Sequence, residues 1–94
     1  MSQVNATKNY SFLIARKRLI KETDKSYTFT TKRFNGYVFN IPKSFVIKFT
    51  PDFISISEFN KEEAYIVTIP LWLASKIGMK DIKELMSNDQ FIEL

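Results

Sequence analysis

Apolar and polar residues alternate with a period of two through much of the chain, and this pattern predicts short β-strands. Residues 1–9 are polar and aperiodic, a flexible lead-in, so structure is expected to begin near Tyr10. A first strand is expected from Tyr10 to Ile20, with a polar turn over Lys21 to Lys25. Its alternation is imperfect, because Phe12 and Ile14 share a face with Arg16 and Arg18; this predicts a bulge or an exposed end. Strands two and three, about Ser26 to Arg33 and Tyr37 to Ile41, are joined at Asn35-Gly36, a strong hairpin signal. A two-residue loop would divide the apolar residues between the two faces. A three-residue loop with Gly36 in the left-handed region pairs Arg33 with Tyr37, Thr31 with Phe39 and Phe29 with Ile41. That register gathers Tyr27, Phe29, Phe39 and Ile41 on one face, and it is the one expected. It leaves Phe34 at the hairpin tip beside Lys32 and Arg33.

Pro42-Lys43-Ser44 interrupts the ladder, because proline supplies no N–H, and a fourth strand follows from Phe45 to Phe49. Pro51-Asp52 reads as a turn, Phe53 to Phe59 as a fifth strand and Asn60 to Glu63 as another turn. The sixth strand, Ala64 to Ile69, puts Tyr65, Val67 and Ile69 on one face. The period then changes. Pro70 suits a first helical position, Leu73 and Ile77 lie one turn apart, and Gly78 is placed to end the helix in the left-handed conformation. A second helical segment is expected from Lys80 to Met86, with Ile82, Leu85 and Met86 as its apolar stripe. Residues 10–94 thus read as one mainly β (α+β) domain. It is expected to be a small antiparallel β-barrel or sandwich of about six strands, closed by a short C-terminal helical segment over about residues 70–86.

The segments FNIPKS and AYIVTIPLWLASKIGM resemble a pattern of small β domains from phages and archaeal mobile elements, carried here by Ile41, Pro42, Lys43, Ser44, Ile69, Pro70, Trp72, Leu73, Ala74, Lys76 and Gly78. The resemblance covers just under half of the chain. It implies a mobile-element origin and a compact β domain, and it brings no activity with it. The same tail is faintly similar to the strand-Pro-helix-Leu-Gly arrangement of AbrB-type DNA-binding proteins, but departs from it after Met79, where the Gly-Asp strand start is missing.

Composition narrows the chemistry. With 94 residues there is room for one hydrophobic core. The absence of cysteine excludes disulfides, a thiolate nucleophile and sulfur-ligated metals, and the absence of histidine removes the commonest general base. Only Gly36 and Gly78 are glycine, so no phosphate-cradling glycine loop is expected. The close carboxylates, Glu62 with Glu63 and Asp81 with Glu84, read as surface and helix N-terminal acids. No catalytic residue, metal or cofactor is therefore expected. No run approaches the ~18 apolar residues of a membrane span, and the longest early one, Phe12 to Ala15, stops at Arg16. Neither a signal peptide nor a membrane partner is expected, and the setting is read as a cytoplasm, the protein's own or that of an infected host.

Charge is where a function enters. The net charge is +4, but residues 1–50 hold ten Lys/Arg against two acids and residues 51–94 four against eight. A basic half of this kind suits nucleic acid, DNA or RNA, or an acidic host protein; it also serves plain solubility. On a strand, Arg16 and Arg18 would project from one face at about the spacing of single-strand phosphates, with Lys17 between them; alternatively the three guard an edge strand against aggregation. Lys32, Arg33 and Phe34 combine cations with an aromatic ring able to stack a base, and Lys43 belongs with them if it falls on the same surface. Trp72 is either an interface anchor or a cover for one end of the barrel, and Phe91 with Ile92 offers a contact for a partner or for a second copy in a homodimer. The expected function is that of a non-catalytic accessory protein of a virus or mobile element that binds nucleic acid through a basic face. The alternative is a host-directed inhibitor of a defence or replication protein.

Overall fold

The computed structural model describes residues 8–94, so most of the expected lead-in, residues 1–7, lies outside the described residues. Seven strands and two short helices follow one another: β1 (Asn9–Ala15), β2 (Leu19–Glu22), β3 (Ser26–Thr30), β4 (Val38–Pro42), β5 (Lys48–Ser55), β6 (Lys61–Pro70), α1 (Leu71–Ile77), α2 (Met79–Glu84) and β7 (Phe91–Glu93). They form two sheets, one in the order β5-β6-β1-β7 and one in the order β2-β3-β4, and all neighbours are antiparallel. The fold is mainly β, as the alternation predicts. Strand pairing closes no barrel among the described residues.

One continuous core holds the two sheets and the helices together. Phe12, Ile14, Val67 and Ile69 enter it from the four-stranded sheet, Phe29, Phe39 and Ile41 from the three-stranded one, and Leu73, Met79 and Ile82 from the helices. Aromatic stacking joins the layers: Tyr27 of β3 lies flat on Phe49 of β5 with ring centres 3.9 Å apart, and Phe49 in turn meets Tyr65 of β6 at 4.5 Å. Lys43 covers the outer end of this stack, with its Nζ 4.9 Å from the Tyr27 ring centre.

The expected first strand is two strands. A 3-10 turn at Arg16–Arg18 breaks it, and the chain passes there from the four-stranded sheet to the three-stranded one. Arg16 and Arg18 therefore do not project from one strand face. The fourth and fifth expected strands also change. Phe45 lies in a 3-10 turn, Lys43–Phe45, and β5 runs without a break through Pro51 and Asp52, where a turn was expected. Proline is tolerated there because β5 is an edge strand, paired only with β6. The reversal comes later, at Ile56 to Asn60, where the Ile56 amide donates to the Asn60 carbonyl at 2.8 Å.

The hairpin keeps the expected face but not the expected register. Phe29 pairs with Phe39 and Tyr27 with Ile41, two residues away from the expected pairing, so Phe29, Phe39 and Ile41 are buried together while the loop lengthens. Nor is Gly36 the left-handed residue, since Asn35 takes that conformation at φ 55°. Asparagine tolerates it better than most side chains.

The helical segment follows the sequence closely. Pro70 occupies the N-cap of α1 rather than its first turn, and Gly78 ends α1 at φ 88°, its amide bonded to the Ala74 and Ser75 carbonyls. Because a Cβ at Gly78 would meet nothing within 4 Å, Gly78→Ala is a test of backbone strain alone. We expect a loss of about 1 kcal/mol in denaturant titration. A neutral result would mean that the left-handed cap is not held. In α2 and the turn after it Ile82 and Met86 are buried, whereas Leu85, expected beside them, is exposed. Finally, Phe91 is a core residue in β7, stacked on Phe12 at 5.1 Å, and Ile92 pairs with Leu13 of β1. Phe91 is thus used in the core, which corrects its expectation as a contact residue, whereas Ile92 stays partly exposed on β7 at the sheet edge.

Candidate functional site

The turn at Arg16–Arg18 separates three neighbouring cations into different environments. The β1–β6 register pairs Ala15 with Ala64, and the next residues continue it through charge. Arg16 Nη1 donates to Glu63 Oε1 at 2.5 Å, and Lys17 Nζ lies 3.1 Å from Glu62 Oε2. The Glu63 hydrogen bond raises the already high pKa of Arg16, so that side chain stays cationic. The Arg16 pair is exposed and screened by solvent, whereas in the second pair the Glu62 side chain is mostly covered. Arg18 differs. It is turned inward, only 9% exposed, its Nε has no hydrogen-bond partner, and no ion pair to it is found among the described residues.

The loop between β3 and β4 arrives beside this turn, and its shape is set by threonine hydroxyls. The Thr31 amide donates to the Tyr37 carbonyl at 2.9 Å, the Tyr37 amide donates to Thr31 Oγ1 at 2.9 Å, and Thr30 Oγ1 donates to the Lys32 carbonyl at 2.9 Å. These bonds close the loop before another strand pair can form, and they push Lys32, Arg33 and Phe34 outward. The Arg33 guanidinium sits over the Phe34 ring at 5.1 Å, and Phe34 itself is 70% exposed.

Between the two segments lies an open groove of about 390 Å³, with Lys17 and Arg18 on one side, Lys32 and Arg33 on another, and the segment from Leu85 to Gln90 as the remaining wall. The amide of Ala15 donates to the Gln90 carbonyl at 2.8 Å, which fixes the 3-10 turn against that wall. Four cations line the groove against one carboxylate, Asp89, whose oxygen accepts from the Ser87 hydroxyl, leaving a net of +3. If Glu62, the partner of Lys17, is included, the net is +2.

Of the residues singled out in the sequence, the structure thus brings together Lys17, Arg18, Lys32 and Arg33, with Phe34 next to them. Arg16 faces away, toward Glu63 and Asp52 in a separate hollow. Lys43 sits at the opposite end of the hairpin, 2.6 Å from Glu22, and does not join the basic surface. Trp72 is 51% exposed and meets the edge of the Phe45 ring at 5.0 Å, so it neither covers a barrel end nor enters the core. Sequence reasoning missed Glu62 and Glu63 as counter-ions, although the β1–β6 register, once known, predicts both pairs. It also missed the burial of Arg18, for which the sequence carries no local signal.

Among the described residues no group of three or more Asp or Glu side chains is placed to hold a metal ion, and no helix is long and apolar enough to cross a membrane. Comparison of the chain with protein-family models, with curated proteins and with solved structures returns no match.

Proposed function

We propose that this chain is a non-catalytic accessory protein, of viral or mobile-element type, that binds nucleic acid through the groove between the Arg16–Arg18 turn and the β3–β4 loop. The observation that carries the reading is the convergence of Lys17, Arg18, Lys32 and Arg33 on one concave surface with an exposed aromatic ring beside it. A phosphate backbone supplies what such a surface lacks, a row of anions, and releasing their counter-ions drives binding. Two further cations of the basic half are engaged elsewhere, Arg16 by Glu63 and Lys43 by Glu22.

The test is fluorescence anisotropy with labelled oligonucleotides across a salt series. The logarithm of affinity should fall linearly with the logarithm of salt concentration, by about 0.7 to 0.9 for each phosphate met. Replacing Lys32 and Arg33 together by alanine should lower that slope by about 1.4 to 1.8 and weaken binding to all sequences alike. Both side chains are exposed, so the fold should be unaffected. A slope that does not change would remove these residues from the interface. A second reading, an inhibitor that binds an acidic surface of a host defence or replication protein, is favoured by the half-exposed apolar pair Phe45 and Trp72 outside the groove. A single tight protein partner combined with no oligonucleotide affinity at any salt concentration would select it.

A further inference from the structure

Resting on the reading above, we infer that the groove takes single-stranded rather than duplex nucleic acid, with one phosphate on the recessed guanidinium of Arg18 and the neighbouring base on the open face of Phe34. Arg18 is the first reason. A guanidinium is charged at any accessible pH and carries five N–H donors, and burying it without an anion or full hydrogen bonding is costly. Its two neighbours each own a carboxylate, yet Arg18, nine-tenths buried, has an unpartnered Nε and lines the groove. An anion in the groove meets the guanidinium where Arg18 lines it and offsets the buried charge, and the planar fork suits a phosphate.

The recess decides which polymer can supply that phosphate. In a duplex the phosphates ride on the convex outside of a stiff cylinder and the bases stay stacked within it. A single strand bends between nucleotides and can lower one phosphate into a concave site. Phe34 gives the second reason. One side of its ring is covered by Arg33, the ring is mostly exposed, and it has no place in the core. A base can stack on that ring only when it is free of its own helix. The ring lies on the same short loop whose Lys32 and Arg33 line the groove with Arg18, which sets it at the groove's margin. Asp89, on the facing wall, repels phosphate and confines the backbone to the Arg18 side.

The probe is a short labelled oligothymidylate, free or annealed to oligoadenylate, titrated with the full chain. Free oligothymidylate should bind at least roughly tenfold tighter than the duplex, since only it can stack on the ring. Phe34→Ala should weaken single-strand binding by about 5- to 150-fold and leave the salt slope unchanged, and Phe34→Trp should retain binding. Arg18→Met keeps the buried stem and removes the charge, so it should reduce the slope by about 0.7. Should that variant fail to fold, Phe34→Ala decides alone, because an exposed tip residue leaves the core intact. Equal affinity for duplex and single strand, or a Phe34→Ala variant that binds as wild type, overturns this inference while the basic-groove reading stands on its Lys32 and Arg33 slope. If neither form of the oligonucleotide binds, both fall.

Discussion

Phe12→Ala should lower the stability of the domain by about 3 to 5 kcal/mol, the range for emptying a large aromatic site in a closed core. Phe12 is fully buried in β1, the strand flanked on both sides in the four-stranded sheet. Its ring stacks on Phe91 of β7 at 5.1 Å and touches Tyr10 at 5.7 Å. Removing it opens a cavity walled by three elements that cannot collapse independently, since β1 is held in register by β6 and β7. At about 4 to 8 °C per kcal/mol for a domain of this length, the melting temperature should fall by about 12 to 40 °C, or the variant should not fold. Thermal denaturation followed by circular dichroism is the measurement. A loss below about 1 kcal/mol would place Phe12 outside the core and contradict the sheet order.

Gly36→Ala is the second large effect, and it joins the fold to the proposed site. A Cβ at position 36 would stand 2.6 Å from Thr30 Oγ1, 2.7 Å from the Lys32 carbonyl oxygen and 2.8 Å from the Lys32 nitrogen. Two of those three atoms are backbone, so the loop must move to admit the methyl group. Overpacking of this kind costs about 1 to 3 kcal/mol. The displaced contacts include the Thr30 hydroxyl that holds the Lys32 carbonyl, and Lys32, Arg33 and Phe34 are presented by the same loop. Stability in urea and oligonucleotide affinity should therefore fall together in this variant, whereas Gly78→Ala should lower stability and leave affinity unchanged. Full affinity in Gly36→Ala would separate the loop from binding.

The contrast between the two glycines shows what could be read from the sequence. Gly78 was readable because a helix end needs a left-handed residue at a fixed place in a local pattern. Gly36 was expected to serve a positive φ; it serves close packing against Thr30 and Lys32, a contact between loop atoms that composition does not announce. The period of two assigned Tyr27, Phe29, Phe39 and Ile41 to one face correctly because a register shift of two residues preserves the face. It could not assign the register, which the threonine hydroxyls set. The Arg-Lys-Arg turn and the unbroken strand through Pro51 escaped for a different reason. The first is stabilised by carboxylates 45 to 47 residues away, and the second is allowed by the position of β5 at a sheet edge; both are properties of topology. Of the site, the exposed Phe34 with Lys32 and Arg33 was readable. The inward turn of Arg18 was not.

The position of β1 also governs how fast the chain can reach this structure. Ala15 pairs with Ala64 and Asn9 with Pro70, so β1 meets its first neighbour 49 to 61 residues further along, and Ile14 and Phe12 meet β7 at separations of 77 and 81 residues. Loops of that length must close before any of these pairs is rewarded, and chains dominated by such distant pairings fold in about milliseconds to seconds rather than microseconds. The β3–β4 hairpin and the α1–α2 pair are local and can form early. During synthesis β1 emerges before β6, and its apolar face must wait until β6 has left the ribosome. Mutations in β1 that disturb its pairing should therefore slow refolding, whereas changes in the β3–β4 loop act on a unit whose ends already lie close together.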